Sequence, residues 1–108
     1  MRKIGGIYRD QYFDQYVDYL TEKTKEDRAK EGKAPYSPVT INTMATDTFY
    51  LEKHDDRDFG YWFKSGETMR EAEKCLVKNL SGRNNPEGDA RYYITMMGLF
   101  GEFLKERK

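Results

Sequence analysis

The amino-acid sequence predicts an all-α protein, a single compact bundle of four to five helices. Over most of the chain, apolar residues recur at the three- and four-residue spacing that gives a helix one buried face. Several helix starts are marked by a capping residue, and two of these are followed directly by proline. Nine Tyr, six Phe and one Trp supply enough apolar area for one core in 108 residues.

The charge balance limits the classes of function. Lys and Arg together number 19, as do Asp and Glu, so the formal net charge is zero. A neutral chain is not suited to non-specific electrostatic binding of DNA, RNA or anionic membrane as its main role. No apolar run is long enough for a membrane span, and no apolar segment follows the basic N-terminus as in a signal peptide. With a single cysteine, Cys75, the chain is predicted to be soluble and cytoplasmic.

The first helix is predicted to begin at Asp10, its N-cap. Residues 1–9 are expected to form a flexible arm, and residues 10–108 a single helical domain. One helical face is apolar and consists of Phe13, Tyr16, Val17 and Leu20. The helix continues into the mixed-charge segment 21–31 without an apolar face, and Gly32 is expected to end it.

The second helix has the most distinct start signal in the chain. Ser37 can accept hydrogen bonds from first-turn amides, and Pro38 suits the first helical position because its missing N–H needs no partner there. The helix is predicted to run to about Lys53. Its buried stripe comprises Ile41, Met44, Ala45 and Thr48. Its exposed side carries Asn42, Thr43, Thr46, Asp47 and Tyr50.

A charged turn and a short aromatic segment follow. Asp55, Asp56 and Asp58 could coordinate a hard cation, although the order of ligands typical of an EF-hand is missing. Helix capping and solvation explain the same residues, so the sequence leaves cation binding open. The segment 59–63 is predicted to be a helix of one to two turns that fills the core, and its aromatic residues would also suit a strand.

Two further helices complete the bundle. Thr68 and Glu71 have the spacing of a capping box that begins the fourth helix. The last helix is predicted from Pro86 to about Glu106, with a heptad-like apolar stripe. Gly98 and Gly101 interrupt it, each at a cost of about 1 kcal/mol relative to Ala. The two glycines suggest the close approach of another backbone at that face.

No catalytic constellation is visible. His54 is the only histidine, so a histidine-based zinc site or proton relay lacks a second imidazole. Cys75 lies beside the apolar stripe of its helix, where a buried and inert thiol is expected. The chain is therefore predicted not to be an enzyme, and no cofactor is expected.

The order of these signals is similar to that of a known family. The chain has Ser37-Pro38-Val39-Thr40-Ile41 at a helix start, and it closes on Ala90-Arg91-Tyr92-Tyr93-Ile94 and Leu99-Phe100-Gly101-Glu102-Phe103-Leu104-Lys105. Over roughly residues 10–106 it resembles the N-terminal SAM-like, or core-binding, domain of tyrosine recombinases and phage integrases. The resemblance implies a four- or five-helix bundle that associates with DNA. No residues follow Lys108 to form the catalytic domain, so no recombinase activity is expected.

Two functions follow as hypotheses. The first is a stand-alone, non-catalytic DNA-binding module of a mobile element or its host. Its candidate contacts are Thr43, Thr46, Lys53, Arg70, Lys74 and Lys78. The last three are four residues apart and should form one solvent-facing stripe.

The second hypothesis is a small protein-binding adaptor or inhibitor from a phage or mobile element, for example of a host nuclease. The zero net charge, the acidic turn and the surplus of tyrosines favour it. A continuous basic face across Lys53, Arg70, Lys74 and Lys78 would indicate DNA. Acidic residues interleaved with these cations would indicate either a protein partner or simply no role in binding nucleic acid.

Overall fold

The computed structural model describes residues 7–55, 57 and 59–106, and every regular element among them is a helix. In chain order these are α1 (Ile7–Lys30), α2 (Pro38–Thr48), α3 (Tyr50–His54), α4 (Phe59–Trp62), α5 (Gly66–Asn79) and α6 (Pro86–Glu106). Helix α6 is central because α1, α2 and α5 all pack against it, while α4 packs against α5. The all-α prediction is confirmed.

Aromatic rings from four parts of the chain meet around Phe100, which is fully buried on α6. The centroid of its ring lies 5.2 Å from that of Tyr16 and 5.0 Å from that of Phe49. The centroid of the Phe59 ring, from α4, lies 4.9 Å from that of the Phe100 ring. Since Phe59 and Trp62 are each only 1% exposed, the prediction that a short aromatic helix fills the core is confirmed.

Helix α1 begins at Ile7, three residues before the predicted start at Asp10. A residue distant in sequence explains this: the Glu52 carboxylate on α3 accepts hydrogen bonds from the amides of Tyr8 (2.7 Å) and Arg9 (3.2 Å). Glu52 is 2% exposed, so a buried negative charge caps the positive end of the helix. Residues 7–9 of the predicted arm are therefore helical, and residues 1–6 lie outside the described residues.

The far end of α1 follows the prediction. The helix continues through the polar segment after Leu20 to Lys30. Gly32 then adopts φ +74°, a left-handed conformation that glycine allows and that commonly ends helices. The polar half of α1 is thus a regular helix without a buried apolar face.

The predicted second helix is broken in two at Phe49, and its continuation to Lys53 was wrong. The Thr46 and Thr48 hydroxyls each donate to the carbonyl four residues earlier, at 2.9 Å. Such bonds compete with the helix ladder and bend it. The Phe49 amide turns to the carbonyl three residues back, and its 2%-exposed side chain enters the core. The helix therefore breaks where the Phe49 ring is buried. Because the break divides one predicted helix into α2 and α3, the described residues contain six helices instead of the predicted four to five.

The start of α5 also differs from the prediction. Ser65 is the N-cap, accepting from the Thr68 amide at 3.2 Å, and Thr68 returns the bond as the N3 residue. The Thr68 hydroxyl also donates to the Trp62 carbonyl at 2.9 Å, which ties α4 to α5. Glu71, the predicted capping partner, instead accepts from Tyr61 of α4. The capping box thus lies three residues earlier than predicted.

Candidate functional site

A groove of about 480 Å³ opens where α4, α5 and α6 meet, and we call it the glycine groove. Its lining consists of Phe63, Met69, Gly98, Gly101, Glu102, Leu104 and Lys105. The volume lies within the range of pockets that hold a small ligand. The walls are mainly apolar, and one acidic and one basic residue of α6 line it as well.

Gly98 and Gly101, the two glycines within the apolar stripe of α6, have different surroundings. A Cβ atom at Gly101 would lie 3.4 Å from Cζ of Phe63, so this glycine faces a packed ring. The predicted approach of another backbone is therefore wrong at Gly101, because the neighbour is a side chain. A Cβ atom at Gly98 would meet nothing within 4 Å. Packing among the described residues gives no reason for the helix to carry the penalty of glycine at position 98.

The predicted basic stripe is present on α5, but acidic residues accompany it. Arg70, Lys74 and Lys78 are all exposed, and within the described part of the chain none of them forms an ion pair. A second groove of about 340 Å³ lies along this side of α5, and we call it the α5 groove. It is lined by Arg70, Glu73, Lys74, Val77 and Glu87. The charges on this face are interleaved.

The remaining predicted contacts lie on other helices. Thr43 and Thr46 are exposed on α2, and Lys53 is exposed on α3. The Thr46 hydroxyl is engaged by a carbonyl of its own helix. Neither the glycine groove nor the α5 groove contains any of these three residues. The structure therefore brings together Arg70 and Lys74, with Lys78 one turn further along α5.

The glycine groove and the α5 groove follow the same side of α6. Glu87, Gly98 and Lys105 are 11 and 7 residues apart, close to whole numbers of helical turns. These three residues therefore form one stripe that begins at the α5 groove and ends at the glycine groove. No sequence pattern predicted this surface, although Gly98, a glycine inside an apolar helical pattern, was a signal that could have indicated it.

Asp55 and Arg57, which precede α4, form a side-chain cluster that contacts α5. Asp55 accepts from Nε of Arg57 at 2.9 Å and from Nη2 at 3.1 Å, and these hydrogen bonds lower the pKa of the carboxyl group. The guanidinium also lies 4.4 Å from the Trp62 ring centroid and donates to Sγ of the half-buried Cys75 at 3.3 Å. Asp55 therefore has a structural role, because it holds the Arg57 guanidinium that contacts α5.

The candidate cation site cannot be assembled from the part of the chain that the structure describes. Asp56 and Asp58 lie outside it, and Asp55 already pairs with Arg57. Among residues 7–55, 57 and 59–106 there is no group of three or more side chains placed to hold a metal ion.

Some of the surplus tyrosines are at the surface, as predicted. Tyr36 and Tyr92 are 38% and 39% exposed. The Tyr92 hydroxyl donates to Asp47 on α2 at 2.8 Å, and partial burial together with this carboxylate raises the pKa of Tyr92. The Tyr92–Asp47 contact joins α6 to α2.

Comparisons with known proteins give no further guide to function, because no protein-family model, curated protein or solved structure matches this chain. None of the helices that the structure describes has both the length and the apolar character of a membrane span.

Proposed function

We propose that this protein is a non-catalytic protein-binding module, and that the glycine groove receives a helix of its partner. The observation that supports this most directly is Gly98, an exposed glycine inside a long helix with open space where its Cβ atom would be. A helix partner benefits from such a position because the absence of a side chain lets two backbones approach closely.

The charges around the groove favour a protein over nucleic acid. Glu102 and Lys105 line the glycine groove, and Glu73 and Glu87 stand beside the cations of the α5 groove. A protein helix that carries both signs of charge can match such a surface. A nucleic-acid duplex carries one sign only and would be repelled by the carboxylates.

The experiment is site-specific photo-crosslinking in cells. Lys105 is replaced by p-benzoylphenylalanine at the rim of the glycine groove, and Ala29, exposed on the polar half of α1, is replaced as the matched control. We expect a discrete protein adduct from position 105 and none from position 29. Adding Gly98→Leu, which fills the groove, should abolish the adduct, whereas adding Ala29→Leu should leave it unchanged.

Two results would contradict this function. One is the absence of any protein adduct from position 105. The other is an adduct that persists in the Gly98→Leu variant, because a helix seated in the groove cannot coexist with a bulky side chain there. Circular dichroism of each variant checks that the fold is retained.

A DNA-associated module is the second candidate, and one specific observation favours it. Arg70, Lys74 and Lys78 are exposed, one turn apart, and outside every ion pair among the described residues, so they are free to contact phosphates. Under this second hypothesis, we also propose that the helical bundle is of the SAM-like type found in the N-terminal domain of integrases, which the sequence resembles.

The test is a mobility-shift titration with duplex DNA at about 50 mM salt, since phosphate contacts are strongest at low ionic strength. We expect a triple substitution of Arg70, Lys74 and Lys78 by Gln to remove any shift. A matched substitution of Lys25 and Lys30, exposed on α1, should not. If the wild-type chain gives no shift at this salt concentration, the DNA function is refuted.

A further inference from the structure

A straight row of exposed residues runs along the solvent side of α6, and we call it the α6 face. Its members are Glu87, Arg91, Thr95, Gly98, Glu102 and Lys105, and all of them are exposed. Consecutive members are three or four residues apart, so the row follows the axis of a helix that has about 3.6 residues per turn. The last three members also line the glycine groove, so the α6 face is one wall of that groove.

The charges of the α6 face are complementary to those of the same face reversed. From the N-terminal end they are negative at Glu87, positive at Arg91, negative at Glu102 and positive at Lys105. When two copies of α6 are laid antiparallel and cross near Met96, Glu87 faces Lys105 of the second copy. In the same register Arg91 faces Glu102 of the second copy, and two-fold symmetry repeats both contacts. A parallel arrangement in register would instead place like charges opposite each other.

The charged side chains of the α6 face are not engaged within their own chain. Among the described residues, none of the four forms an ion pair. This holds although Glu87 and Arg91 are only one helical turn apart, as are Glu102 and Lys105. The four charges are therefore available to a second molecule.

The middle of the α6 face allows two helices to approach closely. Gly98 has no side chain, and a Cβ atom there would meet nothing within 4 Å. In the antiparallel register, Gly98 faces Thr95 of the second copy. The Thr95 hydroxyl already donates to the carbonyl of Arg91 at 2.9 Å, so burying it leaves no donor without a partner. Small residues at the crossing point thus lie between charged residues at both ends.

We infer that the partner is a second copy of this chain, and that the two α6 helices pack antiparallel in a symmetric dimer. This inference rests on the proposed function, because it names the helix that the glycine groove receives. A two-fold interface uses the same patch on both subunits, so the patch must be complementary to itself, as the α6 face is. Opposite charges at facing positions set the orientation and register of the two helices.

The test is a charge exchange between Arg91 and Glu102, measured by sedimentation equilibrium of the purified full chain. The apparent mass of the wild type should rise with concentration from 12.8 kDa towards twice that value. Arg91→Glu creates two like-charge contacts in the dimer and should weaken association about tenfold, or about 1.4 kcal/mol. Adding Glu102→Arg restores opposite charges in the antiparallel register and should recover the wild-type dissociation constant.

Two features make the recovery specific. Positions 91 and 102 are about 16 Å apart along one helix, so the exchanged charges cannot pair within a single chain. Lys30→Glu, at an exposed position of α1, changes the net charge as Arg91→Glu does and is the matched control. It should leave the dissociation constant unchanged. All substituted positions are exposed, and circular dichroism checks that each variant keeps the fold.

The inference is overturned if the wild-type chain stays monomeric up to about 1 mM, or if the exchanged variant associates no better than Arg91→Glu. The crosslink from position 105 separates this failure from failure of the proposed function. An adduct of twice the chain mass, joined near Glu87 of the second copy, supports both. An adduct with a different protein, and none with a second copy, overturns the inference and supports the proposed function. The absence of any adduct overturns both.

Discussion

Replacing Gly98 by alanine should make this protein more stable. In a helix interior, alanine is favoured over glycine by about 0.8–1.0 kcal/mol. Gly98 lies well inside α6, and the added Cβ atom would meet nothing within 4 Å, so no steric penalty opposes the gain. The expected increase in the free energy of unfolding is about 1 kcal/mol, which for a domain near 100 residues raises the melting temperature by roughly 4–8 °C.

Gly88 on the same helix provides a contrasting control. A Cβ atom there would lie 2.3 Å from Nδ2 of Asn85, whose side chain caps α6 by accepting from the Gly88 amide at 3.1 Å. Moving Asn85 aside removes a cap worth about 1 kcal/mol, which cancels the gain in helix propensity. Gly88→Ala is therefore expected not to stabilise the protein.

The assay is urea denaturation followed by circular dichroism, with thermal melts as a second measurement. A destabilised Gly98→Ala variant would refute the reasoning, because it would mean that the fold itself requires glycine at this position. If Gly98→Ala stabilises the protein and also weakens the crosslink from position 105, then glycine at position 98 lowers the stability of the fold and favours binding of the partner.

Three further predictions concern interactions between distant parts of the chain. Glu52→Ala leaves two first-turn amides of α1 without their acceptor and should lower the free energy of unfolding by about 2–3 kcal/mol. A loss below about 0.5 kcal/mol in urea denaturation would contradict the role of Glu52 as the cap of α1. Tyr16→Phe removes a buried hydroxyl bonded to Thr48 and to a carbonyl of α6, and should cost about 1 kcal/mol in the same measurement. The pKa of Asp55 is lowered by Arg57, so their pairing stabilises the fold above the ordinary carboxyl pKa and is lost as pH falls through the lowered value. Asp55→Asn should therefore lower the free energy of unfolding by about 1 kcal/mol at pH 7. The difference between the variant and the wild type should shrink below about pH 4, where the wild-type carboxyl group becomes protonated. A difference that does not change with pH would contradict the stabilising role of the Asp55–Arg57 pair.

The candidate binding surface was only partly accessible from the sequence. The spacing of Arg70, Lys74 and Lys78 predicted an exposed row of cations, and the row is exposed. The position of Glu87 beside that row depends on how α5 packs against α6, and no local pattern specifies it. Gly98 stood out as a helix glycine, but the open space around it became visible only in the packed bundle.

The sequence by itself determined the features whose causes lie within about one helical turn. The caps at Ser37 and Asn85, the end of α1 near Gly32 and the buried stripes follow from neighbouring residues, so they could be predicted. Tertiary structure decided where helices begin and end when the cause is distant. Helix α1 starts early because Glu52, 44 residues from Tyr8, caps it, and α2 breaks at Phe49 where that ring enters the core. Such contacts require the folded chain, since only folding brings these residues together.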